Sequence, residues 1–112
     1  MEFTIGKKTY PLYFGTGFVR ELDRIRAVDM NGVKFGMGVA VLLPSLQTYD
    51  TAALADVIYA ATVRTPSRPG TQAIEDAIDE LNEKQLEALF DEVRNEIKES
   101  NATKLAAKNL KA

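Results

Sequence analysis

The chain has 112 residues, which is enough for one domain but too few for two ordinary ones. Its composition, 46% hydrophobic and 27% charged, is that of an ordinary folded protein, and the absence of cysteine excludes disulfide bonds and thiolate chemistry. Histidine is absent too, which removes the commonest general base and metal ligand, so we expect no metal site and no cofactor.

The net charge of −2 is unevenly distributed. Residues 1–70 carry a net +2, residues 71–100 carry −7 and residues 101–112 carry +3. Phosphates would be repelled by the acidic block, which argues against a nucleic-acid surface there. No apolar run approaches the roughly 20 residues of a membrane span, and residues 1–4 lack the features of a secretion signal, so we expect no membrane partner.

The first fourteen residues predict a β-hairpin. Apolar and polar residues alternate on both sides of Gly6–Lys7, which is the pattern of strands. Glycine at the first central position suits a type II′ turn. This register pairs Phe3 with Tyr10 and places both, with Leu12, on one face. A lone hairpin is marginal in water, so that face must pack on the helices that follow.

An amphipathic helix of about three turns is predicted next. Thr16 is the expected N-cap, and an apolar stripe that includes Phe18 and Leu22 extends to Asp29. The helix is expected to stop near Asn31–Gly32.

The segment Val33–Leu46 is nearly all apolar. Its valines allow a strand, but we favour a buried helix. Gly36 and Gly38 in such a helix indicate the close approach of another backbone. Pro44 should kink or end it.

Three further helices are indicated by capping residues. Asp50 caps the third, which ends before the loop Thr65–Gly70, and Thr71 opens the fourth. Asn82 and Gln85 form a capping box for the fifth. The apolar stripes are Leu54, Val57, Ile58 and Ala61 in the third helix, Ile74, Ile78 and Leu81 in the fourth, and Leu86, Phe90, Val93 and Ile97 in the fifth.

These elements predict an α+β fold that is mainly α, with an N-terminal β-hairpin packed on about five helices. Residues 1–101 should form a single domain. Residues 102–112 contain helix formers but little to bury, so we expect a mobile C-terminal tail.

Two features resemble chemical sites but have simpler structural explanations. Asp76, Asp79, Glu80 and Glu83 could hold a divalent cation, yet their spacing does not match a calcium loop, and a solvated helix face is the preferred interpretation. Gly15–Gly17 precedes a helix N-terminus, where anions can bind, but no P-loop lysine follows. A flexible joint between hairpin and helix is preferred there.

Arginines in the first helix keep a nucleic-acid hypothesis open. Arg20 and Arg24 lie one turn apart and could contact phosphates, as in a small nucleic-acid-binding regulator. Glu21 and Asp23 are interleaved with them, so local salt bridges are preferred and nucleic acid is not an expected partner.

The apolar segment carries more large side chains than one buried stripe needs. Core is the default reading. The alternative is a partner or self-association surface, for which the candidate residues are Phe35, Met37, Val41 and Leu42.

The order of motifs along nearly the whole chain resembles a known family. The sequence Tyr13–Asp23 is followed by Asn31–Gly38, then by Ala52–Thr62, Arg68–Pro69, Leu89–Val93 and Ser100–Thr103. This order is similar to that of the tail assembly chaperones of long-tailed (siphovirus-type) phages and prophages of Gram-positive bacteria. No single motif is chemical. The Gly6–Lys7 turn departs from the Asn-Gly expected in many members.

The resemblance implies a protein that is not an enzyme and that acts in the cytoplasm of a bacterial host. Such chaperones bind the tape-measure protein, keep it soluble and help tail-tube subunits assemble around it. Implied partners are therefore the tape-measure protein, the tail-tube protein, further copies of the chain and a longer frameshifted form of itself. Ala107–Asn109 can be encoded as A-AAA-AAC, on which ribosomes slip back one base. Other codons there, with no slippery run nearby, would exclude this site.

Overall fold

The computed structural model describes residues 1–26, 28–30, 33–35 and 38–109. Within them lie four strands and six helices, which confirm a mainly α, α+β fold with an N-terminal hairpin. No helix in these ranges is long and apolar enough to cross a membrane. The strands are β1 Glu2–Ile5, β2 Lys8–Pro11, β3 Val28–Met30 and β4 Val33–Phe35, and the helices are α1 Thr16–Ile25, α2 Gly38–Gln47, α3 Thr51–Ala61, α4 Thr71–Asp79, α5 Glu83–Glu99 and α6 Lys104–Asn109.

The N-terminal hairpin has the predicted register. In the antiparallel pair β1–β2, Phe3 lies opposite Tyr10 and Ile5 lies opposite Lys8. Gly6 has a φ of 61°, as the first central residue of a II′ turn requires. The Phe3 side chain is buried in the main core, so the hairpin does lay one face on the helices.

The core is formed mainly by the inner faces of α1, α2, α3 and α5, with α4 and the hairpin closing it. Apolar stripes on facing helices exclude water together, and this burial is the dominant favourable term in folding. The largest fully buried apolar side chains are Phe18, Phe90, Leu22, Leu42, Leu46, Leu54, Ile58, Ile74, Ile97, Val57 and Val93.

A second hairpin replaces part of two predicted helices. The expectation that α1 reaches Asp29 is wrong, because α1 ends at Ile25 and β3 follows it. The expectation of one helix from Val33 is also wrong, since β4 pairs antiparallel with β3 and places Val28 opposite Phe35. β-Branched and aromatic residues suit such cross-strand pairs better than a helix interior.

Helix α2 therefore begins at Gly38 and passes through Pro44. The helix continues for three residues beyond the proline, so Pro44 does not end it. The predicted close approach is confirmed at Gly38, where an added Cβ would lie 2.9 Å from Leu22 Cγ and 3.1 Å from the Asp23 backbone nitrogen of α1. Gly36 lies outside the described residues.

The predicted helix starts are largely correct. The Asp50 carboxylate accepts hydrogen bonds from two amides of the first turn of α3, and the Asn82–Gln85 capping box of α5 is complete. Thr16 is the first residue of α1 rather than its N-cap, which is Gly15. Gly15 has no side chain to cap the helix.

The segment after α5 is partly packed. The buried hydroxyl of Thr103 donates to the Ile97 carbonyl, and Ala107 in α6 is only 4% exposed. Part of the segment 102–112 therefore does bury side chains, contrary to the expectation that it has little to bury. Its mobility stays a prediction.

Candidate functional site

The four candidate surface residues do not share one environment. Phe35 is the last residue of β4, and Met37 lies outside the described residues. Val41 is 39% exposed on the solvent side of α2, whereas Leu42, one position further, is fully buried in the core. Their joint assignment to a partner surface stays a prediction, and Val41 is the member that the structure places in solvent.

Val41 belongs to a solvent-facing side of α2 that carries no charge, here called the α2 outer face and formed by Val41, Pro44, Ser45 and Thr48. The Ser45 hydroxyl donates to the Val41 carbonyl (3.5 Å), and the Thr48 hydroxyl donates to the Pro44 carbonyl (3.2 Å). Because both hydroxyls can be satisfied by the helix itself, the face presents mainly methyl and methylene groups.

The α2 outer face ends beside Tyr49, which has an unusual backbone. Its φ is 60°, in the left-handed region that favours glycine. The Asp50 amide donates to the Ser45 carbonyl (3.0 Å) and the Tyr49 amide to the Leu46 carbonyl (3.2 Å), which is the Schellman pattern at a helix end. A residue with a Cβ in this conformation costs about 1–2 kcal/mol. The chain places a large aromatic side chain where glycine would fit without that cost.

The Tyr49 ring stands over an apolar cavity. Tyr49 is 49% exposed, and its ring meets the Phe90 ring edge-on, with 5.2 Å between the centroids. The Arg94 guanidinium lies 5.4 Å from the centroid of the Tyr49 ring. The cavity, here called the Tyr49 cavity, has a volume of about 260 Å³ and lies between this ring and the first two turns of α5. Its lining residues are Tyr49, Leu86, Phe90, Glu83 and Glu87.

Among the acidic side chains of α4 and α5, Glu83 and Glu87 line this cavity. Asp76, Asp79, Glu80 and Glu83 are all exposed, in keeping with a solvated helix face. In the part of the chain that the structure describes, no three carboxylates converge as a metal site would require. The Tyr49 cavity thus lies where the uncharged α2 outer face meets an acidic surface.

The arginines of α1 form ion pairs. Arg24 donates to Glu21 (2.6 Å), which confirms the predicted local salt bridge, and Arg26 pairs with Asp56 of α3 (2.9 Å). Asp23 instead accepts a hydrogen bond from the Gly38 amide (2.9 Å) and so caps α2 from a neighbouring helix. Pairing of Arg24 and Arg26 reduces the cationic surface available to phosphates.

Glu21 is buried at the centre of an ionic network. Hydrogen bonding from Arg24 is the largest cause that lowers its pKa to about 2; burial opposes the shift, and Arg68 adds to it. The Arg68 guanidinium lies 2.7 Å from the Glu21 carboxylate, donates to the Tyr59 carbonyl (2.6 Å) and stacks on the Tyr59 ring at 3.7 Å from its centroid. This network fastens α1 to the end of α3 and to the loop before α4.

Sequence reasoning missed both Tyr49 and Arg68. Arg68 contacts a residue 47 positions earlier, and no local pattern reports such a distance. Tyr49 precedes a recognised cap, but a left-handed backbone at a tyrosine has no sequence signal. The second hairpin did have one, because Asn31–Gly32 between two short β-forming runs is a strong hairpin signal.

The chain was compared with known proteins. A family model described as "Phage tail assembly chaperone protein, TAC" matches residues 2–111. No curated protein and no solved structure matches the chain.

Proposed function

Because this chain belongs to the phage tail assembly chaperone family, we propose that it binds the tape-measure protein of its phage, keeps that protein soluble and promotes assembly of the tail tube around it. The family match over residues 2–111 is the observation that carries this proposal. The client would be a long helical protein with exposed apolar stripes, which aggregate unless they are covered.

The surface of the domain is suited to such a client. A chaperone for an amphipathic helix needs an apolar groove with a polar rim. The α2 outer face is uncharged and includes the exposed Val41, while Glu83 and Glu87 of α5 line the Tyr49 cavity beyond its end. We assign the client-binding groove to the α2 outer face, together with Phe35 and Met37 as its candidate extension, and the polar rim to Glu83 and Glu87 at the start of α5.

Assembly requires that the chaperone can be displaced. Many weak contacts along a long client provide avidity while each contact remains easy to break. Tail-tube subunits could then replace the chaperone one copy at a time. We include self-association, the tail-tube protein and a longer frameshifted form of the chain among the proposed partners.

The proposed setting is the cytoplasm of a bacterial host, for which we expect a Gram-positive species. The family role is that of a chaperone, and we propose that the chain has no enzymatic activity. The exposed carboxylates Asp76, Asp79 and Glu80 then form a solvated helix face without a catalytic role.

Co-expression with the tape-measure protein encoded in the same phage genome tests this proposal. The client should be recovered in the soluble fraction and should co-purify with the chain, but should precipitate when expressed alone. If the client precipitates equally with and without the chain, and none co-purifies, the proposal is wrong.

A pair of variants tests the groove. Val41→Lys places a charge on the α2 outer face and should reduce the recovery of soluble client about tenfold, because the lysine must be desolvated on binding. Asn95→Lys adds the same charge at an exposed position of α5 and should leave recovery within about twofold of wild type. Equal recovery with both variants would remove the α2 outer face from the proposal.

A further inference from the structure

We propose that the Tyr49 cavity receives one apolar side chain of the client helix, and that a lysine or arginine within one helical turn of that anchor contacts Glu83 and Glu87. This inference rests on the proposed function and adds the recognition pattern that the client must carry. Nothing in the family match assigns a ligand to this place.

The size and lining of the cavity suit a single side chain. Its volume of about 260 Å³ is below the roughly 300–1,000 Å³ of pockets for small molecules and far above the ~30 Å³ of one water. Phe90 is fully buried and forms the floor, and the half-buried Leu86 forms part of the wall. Such a cavity can take a leucine, methionine or phenylalanine side chain, whose apolar atoms would contact the Phe90 floor that the core holds in place.

The charges at the cavity determine which client residues are favoured next to the apolar side chain that enters it. Glu83 and Glu87 are four residues apart on α5, so they lie on the same side of the helix, and both are exposed. They belong to the segment 71–100, whose net charge is −7. Complementary charge favours the correct partner and speeds the encounter, whereas like charge opposes it. A client anchor with neighbouring lysine or arginine would therefore be favoured, and one with neighbouring glutamate or aspartate would be rejected.

The backbone at Tyr49 agrees with a role for its ring. Glycine would form the same helix end without conformational cost, so the ring is what this position adds. The residue is 49% exposed, although its ring contacts Phe90 edge-on and has the Arg94 guanidinium 5.4 Å from its centroid. Partly exposed tyrosines are typical anchors of protein interfaces.

A double charge reversal tests the charge pattern. The variant Glu83→Lys/Glu87→Lys should bind the co-expressed tape-measure protein at least about tenfold more weakly than wild type. The matched control, Asp76→Lys/Glu80→Lys, makes the same change at the same spacing on exposed residues away from the cavity and should stay within about twofold. Binding by the first variant at the wild-type level would overturn the inference, as would equal losses with both variants.

The substitution Tyr49→Gly tests the cavity without threatening the fold. It removes the ring and also removes the left-handed strain, so the melting temperature should stay within a few degrees of wild type while client binding falls at least about fivefold. Unchanged binding by a folded Tyr49→Gly protein would show that the ring takes no part.

Overlapping helical peptides that cover the tape-measure protein test the recognition pattern directly. Peptides that bind wild type should carry an apolar residue with lysine or arginine three or four positions away, and their binding should weaken with added salt. Binding peptides whose anchors are flanked by acidic residues would contradict the proposal. So would a Glu83→Lys/Glu87→Lys variant that loses self-association but keeps the client, because the cavity would then belong to a contact between copies.

Different experimental results would reject the proposed function and the inference about the Tyr49 cavity. If wild-type chain neither co-purifies with the tape-measure protein nor binds its peptides, the proposed function fails and this inference fails with it. If wild type binds and the cavity variants bind equally well, the proposed function stands and the inference alone is rejected.

Discussion

Helices α2 and α5 lie against each other but are specified in opposite ways. No residue of α2 is charged, whereas nine of the 17 residues of α5 are. α5 begins with its own capping box, and an apolar stripe every third or fourth residue buries one face. α2 begins at an amide capped by Asp23 of α1 and ends at a tyrosine in the left-handed conformation. One helix is defined by its own sequence and the other by its neighbours.

This difference separates two tasks within one small domain. α5 can present many charges to solvent because its few buried residues fix it in place. α2 supplies core residues on one side and an uncharged face on the other, so its position depends on contacts with α1, α3 and α5. Substitutions that disturb those contacts should therefore affect the position of α2 before that of α5.

The largest expected contrast is between leucines on the two helices. Leu42→Ala removes a fully buried side chain of α2 and should lower the free energy of unfolding by about 2–5 kcal/mol. Leu86→Ala removes a half-buried side chain of α5 and should cost less than about 1.5 kcal/mol. Urea unfolding of both variants measures the difference. Similar losses would show that α2 is no more dependent on packing than α5.

The second contrast concerns the pH dependence of stability that arises from Glu21 in α1, a helix against which α2 packs. The pKa of Glu21 is lowered from 4.5 to about 2, so its ion pairs contribute stability that is fully present above pH 4.5 and is lost as the pH falls towards 2. Linkage puts this contribution on the order of 3 kcal/mol. Wild type should therefore exceed Glu21→Gln in stability near neutral pH, and the gap should close between about pH 4.5 and 2.

Denaturant unfolding at several pH values measures this gap. Arg20→Ala, on the same helix but exposed, provides the control and should show a constant offset from wild type over the same range. A gap for Glu21→Gln that does not narrow in acid would mean that Glu21 is not held ionised by Arg24 and Arg68.

A third contrast concerns glycines at two helix starts. Gly38→Ala would bring a Cβ to 2.9 Å from Leu22 Cγ, so α1 and α2 must move apart, at a cost of about 1–3 kcal/mol. Gly15→Ser meets nothing within 4 Å and supplies a hydroxyl that can cap α1, so a gain of a few tenths of a kcal/mol is expected. Thermal unfolding compares the two variants. A neutral Gly38→Ala would refute the close contact between α1 and α2.

The smallest expected effect is confined to the start of α5. Asn82→Ala removes the side chain that accepts from the Gln85 amide (2.8 Å) and should cost about 1 kcal/mol. Hydrogen exchange should quicken in the first turn of α5 while the amides of α2 keep their protection. Loss of protection in α2 as well would show that the two helices open together.

The same difference between α5, which is defined by its own sequence, and α2, which is defined by its neighbours, explains which elements could be predicted. The first hairpin, α3, α4 and α5 carry turn residues, caps and stripes within a few positions, and all were located from them. The segment 28–35 was misread as helix because its apolar residues are compatible with strand and helix alike, whereas the helix predicted over 38–46 is present. Where α2 begins depends on Asp23 of another helix, and where it ends depends on the conformation of one tyrosine.

The candidate partner surface, too, could be predicted from the sequence only in part. The sequence offered Val41 and Leu42 together as candidate surface residues, but Val41 is exposed and Leu42 is buried. Val41 and Leu42 are consecutive but point in different directions around the helix axis, so one is exposed and the other is buried. Which of them faces the core cannot be predicted until the start of α2 is known. The Tyr49 cavity brings Tyr49 next to residues of α5 that lie 34 or more positions later in the chain, so only the folded structure reveals it.

The position of α6 has a consequence for chains that continue beyond it. α6 packs against α2 as well as α5, and its six residues span about 9 Å. Any polypeptide attached after α6 would therefore be tethered close to the helix that we assign to client binding. Such a tether raises the effective concentration of whatever it carries at that helix, without a new contact surface on the domain. Under the proposed function, a longer form of this chain would hold its additional segment close to the bound client.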